Sequence, residues 1–418
     1  MLSFPRKYLS KSWPAASLWD VRHPRCRSVG LLVGVLASGS AWADLSDTLH
    51  PFASLGYSYD DNLLRLPDDA PGFEGPRSDT IRQLQAGLSF ERPVGRQVFS
   101  GQARTSRVTF DHYQTLNYNG KDLSAAWQWH FLENLDGHLG GSYSQTLTPF
   151  TDFHSSDRNL RIQRHEYVDA NWRPLARWQV HGAFNRDKFS YDLAVQRYND
   201  RTEDVAEVGG DYLAASGSRI GLVARNLKGK YDNLRTSGTQ TLDVGYTQKE
   251  IKASIYWYIS GVTQVQVLAG VARREHNYFA DRDTSGLDGR VTAFWNATGK
   301  LRFTAAGWRE FSAVESALLN SSQNKGASLN ATWVATAKLQ VDGSVQRERR
   351  MFNTVGGLVL PFDASDSGSK ASLGMTYTPL KSVQLSASVF NERRTGNAYL
   401  GNSSYRANGA SISATAQF

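Results

Sequence analysis

The 418 residues contain one cysteine, Cys26, and three methionines. Past residue 43 no disulfide can form, and no Cys/His set at metal-ligand spacing is present. The chain lacks a G-x-S-x-G elbow and a glycine-rich phosphate loop. The histidines after residue 43 (50, 112, 130, 138, 154, 165, 181 and 276) are scattered. Beyond that point no apolar run approaches the ~20 residues that a membrane helix needs, and mean hydropathy is −0.45. That value does not exclude a membrane, because strands of alternating polarity average out. Nor is there a real basic excess. The formal charge is +8, but residues 1–43 hold six Lys/Arg against Asp20 alone. The remaining 41 bases and 38 acids leave +3, so a nucleic-acid partner has little support.

Arg22, Arg25 and Arg27 precede an apolar run at 28–40, and Ala41-Trp42-Ala43 follows as an A-x-A site. Residues 1–43 are therefore expected to be a cleaved signal peptide, and 44–418 a single domain. The residues before Arg22 are long for the start of a signal, which points to a start codon placed too far upstream. An exported chain without disulfides needs another source of stability. A closed ladder of inter-strand hydrogen bonds supplies one.

What the chain does have is a period. Phe90, Trp129, Trp172, Tyr212, Trp257, Trp295, Trp333 and Tyr377 recur at intervals of 38 to 45 residues, each just before a short turn, and Phe418 ends the series. Alternating stretches follow, as in WNATGKLRFTA (295–305) and YTPLKSVQLSASV (377–389). A period near 40 with one short and one long connection is two strands per repeat. Eighteen alternating runs can be marked between 50–60 and 404–418. Short turns are read at RPVGR (92–96), RPLA (173–176) and PLK (379–381), and long loops at 62–78 and 148–161. The expected fold is all-β: a transmembrane antiparallel up-and-down β-barrel of about 18 strands, with both termini periplasmic. A propeller, with four short strands per blade, is the water-soluble alternative.

Period two assigns faces. Val265, Val267, Ala269 and Val271 share one face against Gln266, Gly270 and Ala272. The apolar row should face lipid. The recurring aromatics then form a periplasmic girdle, since Trp and Tyr favour membrane interfaces. Turned inward, the same rings would stack on sugars; Tyr57, Tyr59, Trp308 and Phe390 are the better candidates for that. Arg186, Arg273, Arg309, Arg347 and Arg393 continue the lipid row and are expected to reach lipopolysaccharide phosphates. Asp187, Arg274, Arg350, Arg394, Glu310, Glu348 and Glu392 fall on the lumen row, the last six being candidate cargo contacts. Their mixed signs suit hydrated polar cargo. The loop TDFHSSDR (151–158) gathers Asp152, His154 and Asp157, the one place where a hydrolase could be sought.

HPFASLGYSYDDNLLR (50–65), YISGVTQVQVLAGVARREHNYFADRDTSGLDGR (258–290) and WNATGKLRFTAAGWREFS (295–312) resemble the EpsL family of outer-membrane proteins. That family is associated with exosortase/PEP-CTERM exopolysaccharide gene clusters in proteobacteria. The resemblance implies a Gram-negative outer-membrane pore that passes a polysaccharide, with a periplasmic polysaccharide export protein as partner. Outer-membrane lipid, lipopolysaccharide and the assembly machinery are the other expected partners. No cofactor or enzyme activity is expected. A general or substrate-specific solute porin is the alternative reading, and an outer-membrane hydrolase the second.

Overall fold

The computed structural model describes residues 48–68, 70, 75–151, 153–237, 240–278, 283–314, 319–354, 364–397 and 403–418. The expected signal segment, with Cys26, and Asp152 lie outside the described residues.

The wall begins with β1 (Leu49–Asp60), β2 (Asp79–Val94), β3 (Gln97–Phe110), β4 (Tyr118–Leu132) and β5 (Leu135–Leu147). It continues with β6 (Leu160–Leu175), β7 (Trp178–Tyr191), β8 (Arg201–Leu213) and β9 (Arg219–Tyr231). A loop hairpin, β10 (Arg235–Ser237) and β11 (Gln240–Leu242), stands apart from the wall. Then come β12 (Tyr246–Tyr258), β13 (Thr263–His276), β14 (Thr284–Asn296), β15 (Leu301–Ala313) and β16 (Leu319–Thr336). The last four are β17 (Leu339–Thr354), β18 (Ser365–Leu380), β19 (Val383–Thr395) and β20 (Tyr405–Gln417). Each wall strand pairs antiparallel with the next, β9 pairs with β12, and β20 returns to β1 from Phe52↔Gln417 to Asp60↔Gly409. One closed 18-stranded sheet results, and it has none of a propeller's separate blades.

The strands run further into the turn rim than the expected turns allow. β2, β6 and β18 continue through Pro93, Pro174 and Pro379. Proline cannot donate to the ladder, so it settles where pairing is relaxed. The register slips between Trp172 and Leu175 and again between Tyr377 and Leu380, and each slip contains the proline. The β2–β3 turn then needs only Gly95 and Arg96, with Gly95 at φ +59°. A positive φ at the first of two turn residues suits a II′ hairpin.

Apolar side chains lie on the outside of the wall and polar ones on the inside. Leu84, Val208, Leu222, Ile251, Val271, Leu287, Val345 and Leu373 are all exposed, while Gln85, Asn185, Glu207, Glu250, Lys252, Asp288 and Asp366 are buried. A water-soluble domain does the opposite. A closed wall with no free edge, apolar outside and polar inside, is the solution a bilayer demands. The protein is a membrane-spanning barrel of the Gram-negative outer membrane. Tyr57 and Tyr59, offered above as sugar-stacking residues, are 38% and 48% exposed and share the outward parity of Leu55. Phe390 and Trp308 share the inward parity of Glu392 and Glu310.

Neighbouring residues on β17 test these faces. Val345 is 52% exposed on the outer row, and Ser344 lies on the inner row, bonded to Ser372. Val345→Arg should lower the unfolding free energy in lipid vesicles by about 2–4 kcal/mol. Ser344→Arg should leave it within about 0.5 kcal/mol. Equal losses in urea titrations would refute the assignment.

Candidate lumen and loop constriction

All nine recurring aromatics stand on outward positions near the turn rim. Trp172, Trp257, Trp295, Trp333, Tyr377 and Phe418 are between 41% and 69% exposed. Trp129 is instead buried, lying across Gly137, where a Cβ would meet its ring at 2.5 Å. Trp127, Phe131, Trp178 and Phe303 widen the ring through contacts with Trp129, Tyr212 and Trp295.

At the other rim the outward bases differ by sector. Arg186 grips Asp204 on the neighbouring strand at 2.7 and 3.0 Å, and Arg273 meets Glu275 at 3.0 Å. Arg347 and Arg393 lie exposed on β17 and β19. Arg309 is half-buried where β14 and β15 part.

Inside, acids meet bases or histidines across neighbouring strands around much of the wall. Arg104 meets Asp122, and His138, His165 and His181 meet Asp169, Asp187 and Asp211 at 2.9 to 3.1 Å. Glu250 lies 3.2 Å from Arg225 and 2.6 Å from Lys252, which also reaches Asp288. Arg290 holds Glu310 with two bonds and stands 4.8 Å over the Trp308 ring. Trp308 donates its Nε1–H to Glu348. Arg350 pairs with Asp366 at 2.5 Å, and Arg394 approaches the same carboxylate at 3.6 Å.

The structure therefore brings Glu310 and Glu348 together around Trp308 and Arg290, Arg350 and Arg394 together at Asp366, and Arg394 and Glu392 together at Tyr405 near the first loop. Arg274 stands apart and is 1% exposed. It donates to Gln248 and lies 4.3 Å over Tyr246. Glu392 is 7% exposed and takes bonds from Lys370, Tyr405 and Arg65. Glu310 and Glu348 are less buried than Glu392.

The first loop explains the Asp-Asp-Asn run. Asn62 accepts from the Leu66 N–H and donates to the carbonyls of Leu66 and Arg406. This tight bend holds Arg65 at φ +57°, a left-handed conformation that costs a non-glycine residue of order 1 kcal/mol. Its guanidinium is thereby delivered to Asp60 at 2.8 Å and Glu392 at 3.3 Å. Burial alone would lower the Arg65 pKa, but the two carboxylates outweigh it and hold the value above the ordinary one.

The β5–β6 loop, 148–159, is pinned at its neck by Thr148 N–H to the Asn159 carbonyl. It then leaves its own strands. His154 donates from Nδ1 to the Leu64 carbonyl at 2.9 Å, with its ring edge-on to Tyr405. Arg394 donates to the Thr151 carbonyl. On the wall, β20 and β1 to β4 separate β5 from β19, which carries Arg394. Contact between Thr151 and the inward Arg394 thus takes the loop over the lumen mouth. Beneath it Phe150 packs on Leu63, Leu64, Leu66, Phe110, Tyr113 and Leu116. Asp157, the other acid weighed for hydrolysis, accepts from Ser155 in the same loop. Among the described residues no metal-capable cluster forms.

The closed ladder, the inverted surface and the polar lumen with an inward loop define a porin-like outer-membrane barrel. No protein-family model and no curated protein matches the chain. Among solved structures, OccAB3 of Acinetobacter baumannii is similar at 10% identity, covering 89% of this chain and 100% of that one, with a TM-score of 0.48. OccK2 (OpdF) of Pseudomonas aeruginosa, solved with glucuronate, gives 10%, 89%, 98% and 0.47. The siderophore receptor PirA of Pseudomonas aeruginosa gives 10%, 89%, 80% and 0.42.

Proposed function

We propose that the protein is a solute porin, a passive pore whose hydrated lumen is narrowed by its own loops. The reach of residues 148–159 to Arg394, six strands round the wall from β5, carries this reading. Barrels of 16–18 strands leave an aqueous channel. A loop laid across the mouth of such a channel sets a size limit, whereas a long polymer needs a clear bore. The alternating charges of the wall suit small, hydrated, polar solutes over ions of one sign. In this reading the loop rim faces the medium, and the turn rim with both chain ends faces the periplasm. His154 serves to hold the loop, with no catalytic step.

Export of a polysaccharide beside a periplasmic export protein is the second reading. It draws on the sequence resemblance and on Phe390, whose ring lies inward over Gly409 as a surface for a sugar face. Single-channel recording in planar bilayers separates the two. Replacing 149–158 by a short Gly-Ser link should raise conductance several-fold and abolish discrimination between mono- and oligosaccharides. An unchanged conductance would overturn the porin reading. Polymer trapped in the periplasm of a deletion strain would establish the second.

A further inference from the structure

We infer that the outer face of β15 to β20 carries a binding site for the phosphates of lipid A, confined to that sector of the rim. The register builds it. Arg309 pairs directly with Lys325, and Lys325 with Arg349. One rung lower, Arg347 pairs with Ser369, Ser369 with Arg393, and Arg393 with Arg406. Lys325, Arg347, Arg349, Arg393 and Arg406 are exposed, and Arg309 half-exposed.

Strands about 4.8 Å apart place these six cations on one continuous patch. Like charges directly opposite each other destabilise a sheet, so the arrangement calls for an anion. Little within the protein answers. Asp68 meets Arg406 at 3.2 Å, and Asp61 is taken by Asn408. Among the described residues Arg349 reaches the Ser365 hydroxyl, at 3.5 Å, and no carboxylate. Arg309, Lys325, Arg347 and Arg393 have no carboxylate partner among the described residues. The opposite sector is built differently: Arg186 faces Asp204, Lys188 faces Asp232, and Glu275 serves both Lys249 and Arg273. Four of its outward cations thus have carboxylates of their own, and Lys228 and Lys230 on β9 are its exposed exceptions.

Height fits a lipid headgroup. Leu339 pairs with the girdle residue Tyr377, and Arg347 and Arg349 lie eight and ten residues further along β17. At about 3.3 Å per residue and a tilt of about 40°, they stand about 20–25 Å above the girdle. An outer-membrane apolar band is about 25 Å tall. The patch therefore meets the far interface, where guanidinium groups bind phosphate oxygens bidentately. That interface is the lipopolysaccharide leaflet under the proposed orientation, on which the assignment rests.

The test uses the full chain refolded in detergent micelles, with diphosphorylated lipid A titrated and binding counted by native mass spectrometry. Heat-modifiable migration on gels checks folding of every variant. Lys325→Ser/Arg347→Ser/Arg349→Ser should weaken binding about a hundredfold or more, and dephosphorylated lipid A should bind the wild type equally poorly. Arg186→Ser/Arg273→Ser should change affinity less than about twofold. Without lipid, the triple variant should resist urea better than the wild type. Undiminished binding by the triple variant, or equal binding of phosphorylated and dephosphorylated lipid A, overturns the site. Equal affinity for phosphatidylethanolamine overturns the choice of lipid. None of these outcomes alters channel conductance, so the porin reading stands or falls separately.

Discussion

Glu392→Ala is expected to lower the unfolding free energy by about 3–5 kcal/mol, the loss typical of breaking a buried ion pair from one side. Three groups converge on that carboxylate. Lys370 lies at 2.9 Å, the Tyr405 hydroxyl at 2.9 Å and Arg65 at 3.3 Å. Removing it leaves Arg65 in its left-handed bend with Asp60 and the carbonyls of its own loop. Tyr405 loses its acceptor and, with it, the fixed edge against which His154 rests. The damage should reach both loops, because Leu64 accepts from His154. Urea titration in lipid vesicles reads the stability, and current noise in planar bilayers reads the loops. A double-mutant cycle with Arg65→Ala should be strongly non-additive. Strict additivity would mean that Arg65 and Glu392 act independently.

Lys252→Met is expected to cost a comparable amount, about 3–5 kcal/mol at neutral pH. Its ammonium lies 2.6 Å from Glu250 and 2.5 Å from Asp288, and its side chain is 5% exposed. Methionine fits the same volume but leaves two buried carboxylates with Arg225 as the nearby cation, 3.2 Å from Glu250. The loss should shrink as pH falls, because protonating a carboxylate removes the uncompensated charge. Lys252→Met/Asp288→Asn should recover part of the stability at neutral pH. A single variant whose deficit is independent of pH between about 4 and 8 would show that packing, and not charge, is what Lys252 supplies.

The eighteen strands were legible because a barrel strand writes its two environments into every second residue. Leu339, Val341 and Val345 against Gln340, Asp342 and Gln346 is such a stretch. The strand ends were less legible. Pro93, Pro174 and Pro379 read as turn residues, and the bulges that admit two of them are a property of paired strands. The interior was harder still. His138, His165 and His181 look scattered along the chain, yet pairing sets them on three adjacent strands, each against an aspartate. Period two names the face of a charge but not its neighbour. Arg290 finds Glu310 only through the β14–β15 register. The loop crossing was least accessible. Nothing local in 148–159 announces contact with Arg394, 243 positions away along the chain.

The seam between β1 and β20 has a consequence for the chain as a string. Nine paired residues join it, and the Phe418 N–H closes on the Pro51 carbonyl. It has the geometry of every other hairpin except that no turn connects its strands. The barrel is thus a ring in which the chain's beginning is one arbitrary cut. A circular permutant joined by a short linker from Phe418 to Leu49, and opened at the Gly95-Arg96 turn, should close the same wall. Its loops would then emerge in a new order along the chain while keeping their places around the pore.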